Sequence, residues 1–112
     1  MGLILKSCGT LFIDLDGTIL NCSTDAPNPF AVERINKAYD DGFMIVLTTY
    51  RGEHFADNSR FGLVTTHTLL RNIGLKFHHI IFSSPSPRVV INDEGAVAVQ
   101  HPRDGSWEGY EF

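Results

Sequence analysis

The sequence predicts a three-layer α/β domain, a mostly parallel sheet with helices on both faces. Three observations carry that prediction. Short apolar runs alternate with helical patterns, the order that builds βαβ units with right-handed crossovers. One of those runs, FMIVLTT at 43–49, is apolar without alternation, as expected of a strand covered on both faces. The chain has 112 residues, 43% of them hydrophobic, which suffices for one compact core and is too little for two. Residues 1–112 are therefore read as one domain.

The elements follow in order. TLFID, 10–14, is the first strand candidate. NPFAVERINKAYDDG, 28–42, is a helix with Asn28 as N-cap, Pro29 at its first position and Gly42 as its stop. Its apolar residues Val32, Ile35, Ala38 and Tyr39 fall on one face. FMIVLTT is the second strand, and YRGEHFADNSR, 50–60, is a loop because it has no period. Leu63, Thr66, Leu70 and Ile73 recur at helical spacing up to Gly74 and make the second helix. HHIIF (78–82), RVVI (88–91) and AVAV (96–99) are three further strand candidates. The tail QHPRDGSWEGYEF is irregular, with Trp107, Tyr110 and Phe112 as anchors.

A formal charge of −4 argues against broad adhesion to nucleic acid or anionic lipid, although a local basic patch survives such an average. Any anionic ligand must then be held locally, and the only lysines are Lys6, Lys37 and Lys76. Cys8 and Cys22 have no metal-ligand spacing, so reduced thiols and a cytoplasmic location are expected. The apolar start is interrupted by Lys6 and closed by Asp14, which fits neither a secretory core nor a membrane span. Gly2 lacks the Ser or Thr at position 6 that myristoylation wants. Of the histidines, His54, His67, His78, His79 and His101, none has a zinc-ligand spacing. His54 lies in the loop after Arg51, close enough in sequence to touch a substrate. SPSP, within FSSPSPR, is a stiff turn, and no Gly-rich nucleotide-binding loop is present.

In open parallel sheets, ligands bind beyond the carboxyl ends of the strands. That rim receives Asp14 and Asp16 from the first strand, then Thr48, Thr49 and Arg51 from the second. Ser83 to Pro87 would follow the third strand, and Asn92 and Asp93 the fourth. Two acids at i and i+2, joined by a third from another strand, make a hard oxygen site suited to Mg²⁺. A carboxylate beside such a cation stays ionised and can attack phosphorus.

DLDGT, 14–18, resembles the first signature motif of the haloacid dehalogenase superfamily, whose members are mostly Mg²⁺-dependent phosphatases working through an aspartyl-phosphate. The resemblance implies a Rossmann-like core. It makes Asp14 the nucleophile and a metal ligand, and Asp16 the proton carrier, whose backbone carbonyl also faces the metal. Gly17 permits the turn and Thr18 orders it. The family's phosphoryl-binding hydroxyl is matched in IVLTTYR, where Thr48 and Thr49 are the candidates. Similarity to capsule-biosynthesis and polynucleotide phosphatases selects Thr49, two residues before Arg51, with Arg51 holding phosphate oxygens. VVINDEG corresponds to the acidic pair that completes the metal site, with Asn92 in place of the first acid and Asp93 as the metal ligand.

The sequence departs from the family at the lysine usually found after the third strand, where this chain has FSSPSPR. Lys76 precedes that strand, at the far end of the sheet, so Arg88 is the replacement cation. About ten residues separate Thr18 from the first helix, and no segment is long enough for a cap domain. An open site suits a bulky phosphorylated substrate (a sugar-nucleotide, a glycan precursor or a nucleic-acid end), or a lid lent by a second copy of the chain. The alternative is a degenerate domain that binds a phosphorylated ligand or partner without turnover. A receiver domain would need a lysine after its last strand and has none.

Overall fold

The computed structural model describes residues 9–52 and 65–110. Their elements run β1 (Thr10–Asp14), α1 (Pro29–Asp40), β2 (Met44–Thr48), α2 (Thr66–Asn72) and β3 (His79–Ile81). The three strands form one parallel sheet in the order β1-β2-β3, with Leu11 opposite Ile45, Asp14 opposite Thr48 and Thr48 opposite Ile81. The α/β class and the parallel pairing are as expected, and no segment of the described residues forms a cap domain.

Helix α1 forms where its caps dictate. The Asn28 side chain accepts from the backbone N–H of Phe30 (3.0 Å) and Ala31 (3.3 Å), two of the donors a helix start leaves unpaired, and Pro29 has no N–H to lose. At the other end Gly42, at φ 101°, takes the left-handed turn that stops the helix, its N–H reaching the Tyr39 carbonyl. Ala31, Ile35 and Ala38 form the buried stripe, with Val32 and Tyr39 on its flanks. Helix α2 begins one turn later than the hydrophobic spacing predicts: Thr65 is its N-cap, accepting from the Thr68 N–H at 3.1 Å. Leu63 lies outside the described residues. The Asn36 side chain ties α1 to the segment after α2, donating to the Gly74 carbonyl at 2.9 Å and accepting from the Lys76 N–H at 2.8 Å.

The core gathers Leu11 and Ile13 of β1, Ile45 and Leu47 of β2, the α1 stripe, Leu70 of α2 and Trp107 from the tail. Strand side chains alternate, so the opposite face carries Phe12, Met44 and Ile81, and Phe12 is 63% exposed. The described residues leave that face without a helix. No described helix is long and apolar enough to cross a membrane.

RVVI and AVAV do not form strands. Residues 85–100 are exposed and irregular, with Ile91 at 93% exposure. β-branched residues favour strands only when a neighbouring strand pairs with them, and here the chain is diverted at both ends of the run. Arg88 is held back on Ser84 and Asp14, and Asp104 is held on Gly17. Between them Asn92, Asp93 and Glu94 bond into their own turn, followed by Gly95 at φ 80°.

Candidate active site

Asp14 is the last residue of β1, and the next peptide continues the ladder, the Leu15 N–H donating to the Thr48 carbonyl at 3.0 Å. The Asp14 carboxylate is 37% exposed. Its Oδ2 accepts from Thr18 Oγ1 at 3.3 Å and its Oδ1 from Arg88 Nη1 at 2.9 Å. Arg88 is itself anchored, Nε to Ser84 Oγ (3.2 Å) and Nη2 to the Ser84 carbonyl (2.7 Å). Ser84 in turn hangs from the sheet end through its N–H to the Thr49 carbonyl. The SSPSPR turn thus sets a guanidinium against the first acid, on the rim of the sheet.

The turn after Asp14 is fixed from below and behind. Leu15 is fully buried, and its carbonyl accepts from the N–H groups of Thr18, Ile19 and Leu20. From the tail, the Asp104 N–H donates to the Gly17 carbonyl at 2.7 Å and Trp107 Nε1 to the Thr18 carbonyl at 2.8 Å. Trp107 is the anchor the sequence suggested. Tyr110 stacks edge-on against it, while Phe112 lies outside the described residues. Gly17 sits at φ 79°, and a Cβ there would come within 3.3 Å of Arg103 Cγ. Gly17→Ala should therefore lower stability by about 1–2 kcal/mol, the left-handed penalty of an L-residue, read as a fall in the chemical denaturation midpoint with an unchanged slope.

Asp16 faces a different partner. Arg51 grips it with Nε (3.0 Å to Oδ1, 3.1 Å to Oδ2) and Nη2 (2.6 Å to Oδ1), and Thr49 Oγ1 donates to Oδ2 at 3.2 Å. In each of these contacts Asp16 is the acceptor. Thr49 is fully buried, and its hydroxyl also accepts from the Arg51 N–H, so the side chain braces Arg51 and Asp16 together. Arg51 Nη2 reaches a second carboxylate, Asp25 Oδ1. Arg51 and Asp25 are both nearly buried, at 8% and 9% exposure. Burial alone would drive the Arg51 pKa down, but the bonds to Asp16 and Asp25 outweigh it and push it above its ordinary value. The guanidinium stays charged.

The predicted residues thus divide. Asp14, Thr18 and Arg88 meet at one point, and Asp16, Thr49 and Arg51 at another. Arg51, expected to hold phosphate, points its fork at the two acids. Thr48 lies opposite Asp14 in the ladder, on the same sheet face, and is the half-exposed hydroxyl where Thr49 is the buried one. His54 lies outside the described residues. Asp93 accepts from the Glu94 N–H at 2.8 Å, Asn92 donates to the Glu94 carbonyl, and no group of three metal-ligating side chains assembles among the described residues. Without a fourth strand, nothing carries Asn92 and Asp93 to the rim. Of the acids expected to hold a metal, Asp14 and Asp16 stay on the rim, each bonded to an arginine, and one or two carboxylates are what Mg²⁺ commonly takes.

Sequence reasoning missed Asp25 and Asp104. Both sit in polar, turn-rich stretches where an acid is ordinarily solvated, and both adopt positive φ (61° and 56°), which nothing in their neighbours signals. Asp104 accepts from the Cys22 Sγ–H and N–H, each at 3.0 Å, contacts that hold its carboxyl below the usual carboxylate range.

Comparison with known proteins finds one family, over residues 11–74. The family model for haloacid dehalogenase-like hydrolases matches residues 11–74, a span that contains Asp14, Asp16, Asp25, Thr49 and Arg51 and leaves out Arg88, Asn92 and Asp93. No curated protein and no solved structure matches the chain. With more than half its length matched, and with DLDGT at the carboxyl end of a parallel strand, the chain belongs to the haloacid dehalogenase-like hydrolases.

Proposed function

We propose that the chain is a phosphomonoester hydrolase that works through an aspartyl-phosphate on Asp14. The observation that carries this reading is the Asp14 carboxylate, part exposed at the end of β1 with Arg88 Nη1 at 2.9 Å and Thr18 behind it. A carboxylate oxygen of Asp14 attacks phosphorus while the P–O bond to the leaving group breaks. The departing oxygen takes a proton from Asp16 and leaves as an alcohol. Asp16, now a carboxylate, accepts a proton from water as that water attacks phosphorus. The acyl phosphate P–O bond breaks, giving inorganic phosphate, free Asp14 and a protonated Asp16.

Arg88 lies where it can balance charge on the phosphoryl oxygens, and Thr48 offers a half-exposed hydroxyl beside Asp14. Mg²⁺ held by Asp14 and Asp16 would add a Lewis acid to that balance. With no cap over this rim among the described residues, the site suits a bulky phosphorylated substrate, such as a sugar-nucleotide, a glycan precursor or a nucleic-acid end.

The test is phosphate release from an aryl phosphate, followed with Mg²⁺ and after chelation. Slow release, cut at least about tenfold by chelation, is expected. No release from a broad panel of phosphorylated metabolites would overturn the proposal. A second reading, binding without turnover, is favoured by one observation: Arg88 and Arg51 are already bonded to the two acids, and Asp93 stands apart. Calorimetric binding of phosphate with no release would select it.

A further inference from the structure

The buried carboxylate of Asp25 has no part in the chemistry proposed above, and its placement is specific. The loop that carries it is organised by Asn21, whose side-chain oxygen accepts from the N–H groups of Ser23 (2.9 Å) and Thr24 (3.1 Å). The backbone closes the same loop, Asn21 N–H to the Ala26 carbonyl and Asp25 N–H to the Asn21 carbonyl. Asp25 sits at φ 61° in the left-handed region, a conformation that Asp tolerates better than most residues and that persists where its surroundings enforce it. Its carboxylate turns inward to Arg51 Nη2, the same nitrogen that bonds Asp16.

We infer that Asp25 is a positioning residue: it fixes the Arg51 guanidinium so that Arg51 and Thr49 hold the Asp16 carboxylate in a single orientation. The geometry sets a hierarchy. Asp25 is nearly buried and Arg51 with it, whereas Asp16 is a third exposed. An arginine held only by Asp16 could follow that side chain, or leave it for a bound phosphoryl group. An arginine held from behind cannot, so the fork stays fixed and Asp16 takes its orientation from it. The fork's planar, paired donors suit this task, and a lysine could not grip Asp16 through two nitrogens while also reaching Asp25.

The assignment to catalysis rests on the phosphatase reading, but the linkage itself does not, and the experiment separates them. Asp25→Asn keeps the shape and one acceptor and removes the charge that pins Arg51. Expected are a kcat at least about tenfold lower, a KM within about threefold of the native value, and partial recovery of kcat in Asp25→Glu. A native kcat in Asp25→Asn, or a loss confined to KM, overturns the inference. Should Asp25→Asn fail to fold, Arg51→Lys decides, and a folded Arg51→Lys with native kcat overturns it equally. Independently of turnover, thermal midpoints of Asp16→Asn, Asp25→Asn and the double variant form a cycle. If both acids act on one guanidinium, the double shift departs from the sum of the single shifts by about 4 °C or more. Additive shifts overturn the linkage. An inactive native protein with a non-additive cycle refutes the phosphatase reading while leaving the linkage standing.

Discussion

Replacing Asp14 by asparagine should reduce phosphate release on the order of 10³-fold or more and leave the fold intact. The amide is nearly isosteric with the carboxylate and can still accept from Thr18 or Arg88. It cannot form an acyl phosphate, and no neighbouring oxygen substitutes, because the Asp16 carboxylate is turned to Arg51 and Thr49. Stability should change little. Asp14 and Arg88 are 37% and 27% exposed, and an ion pair so open to water contributes at most about 1 kcal/mol. Unaltered turnover in the Asp14→Asn protein, at an unaltered melting temperature, would remove Asp14 from the chemistry and the aspartyl-phosphate with it.

The first half of this molecule was legible in its sequence because local signals and tertiary pairing agree there. TLFID and MIVLT are apolar runs that find one another, and Asn28, Pro29 and Gly42 punctuate α1 as capping chemistry requires. The rim that follows from a parallel sheet then places Asp14 and Thr48 side by side. RVVI and AVAV have the same composition as those strands and form none, since a strand is made by its partner and no sequence window contains the partner. That Arg88 reaches the rim was legible in outline, because Arg88 closes a stiff turn after β3. The direction of Arg51 was not. The fork turns to Asp16 and to Asp25, and Asp25 comes from a loop 26 residues earlier and has a positive-φ backbone.

Arg51→Ala should be among the most destabilising single substitutions in the chain, costing about 3–5 kcal/mol, which for a domain this small lowers the melting temperature by more than about 10 °C. The cost is not the loss of an attraction alone. Asp25 would remain buried at 9% exposure without the guanidinium it faces, and Asp16 would lose its two-nitrogen grip. Taking one partner from a buried charge is penalised more heavily than the intact pair is favoured. It follows that Arg51→Met combined with Asp25→Leu, which removes both charges and keeps apolar volume, should recover much of the lost stability. That asymmetry distinguishes charge burial from simple loss of packing. The sign with pH is also fixed. A cation whose pKa is raised on folding contributes fully below its unfolded value and loses that contribution only as pH rises through the folded one. Because Asp16 and Asp25 hold Arg51 above its ordinary range, its contribution should persist on raising the pH to about 10. Melting curves of the native protein, Arg51→Ala and the apolar pair at neutral pH and near pH 10 would check all three expectations. An Arg51→Ala protein as stable as the native one would mean that neither acid depends on Arg51.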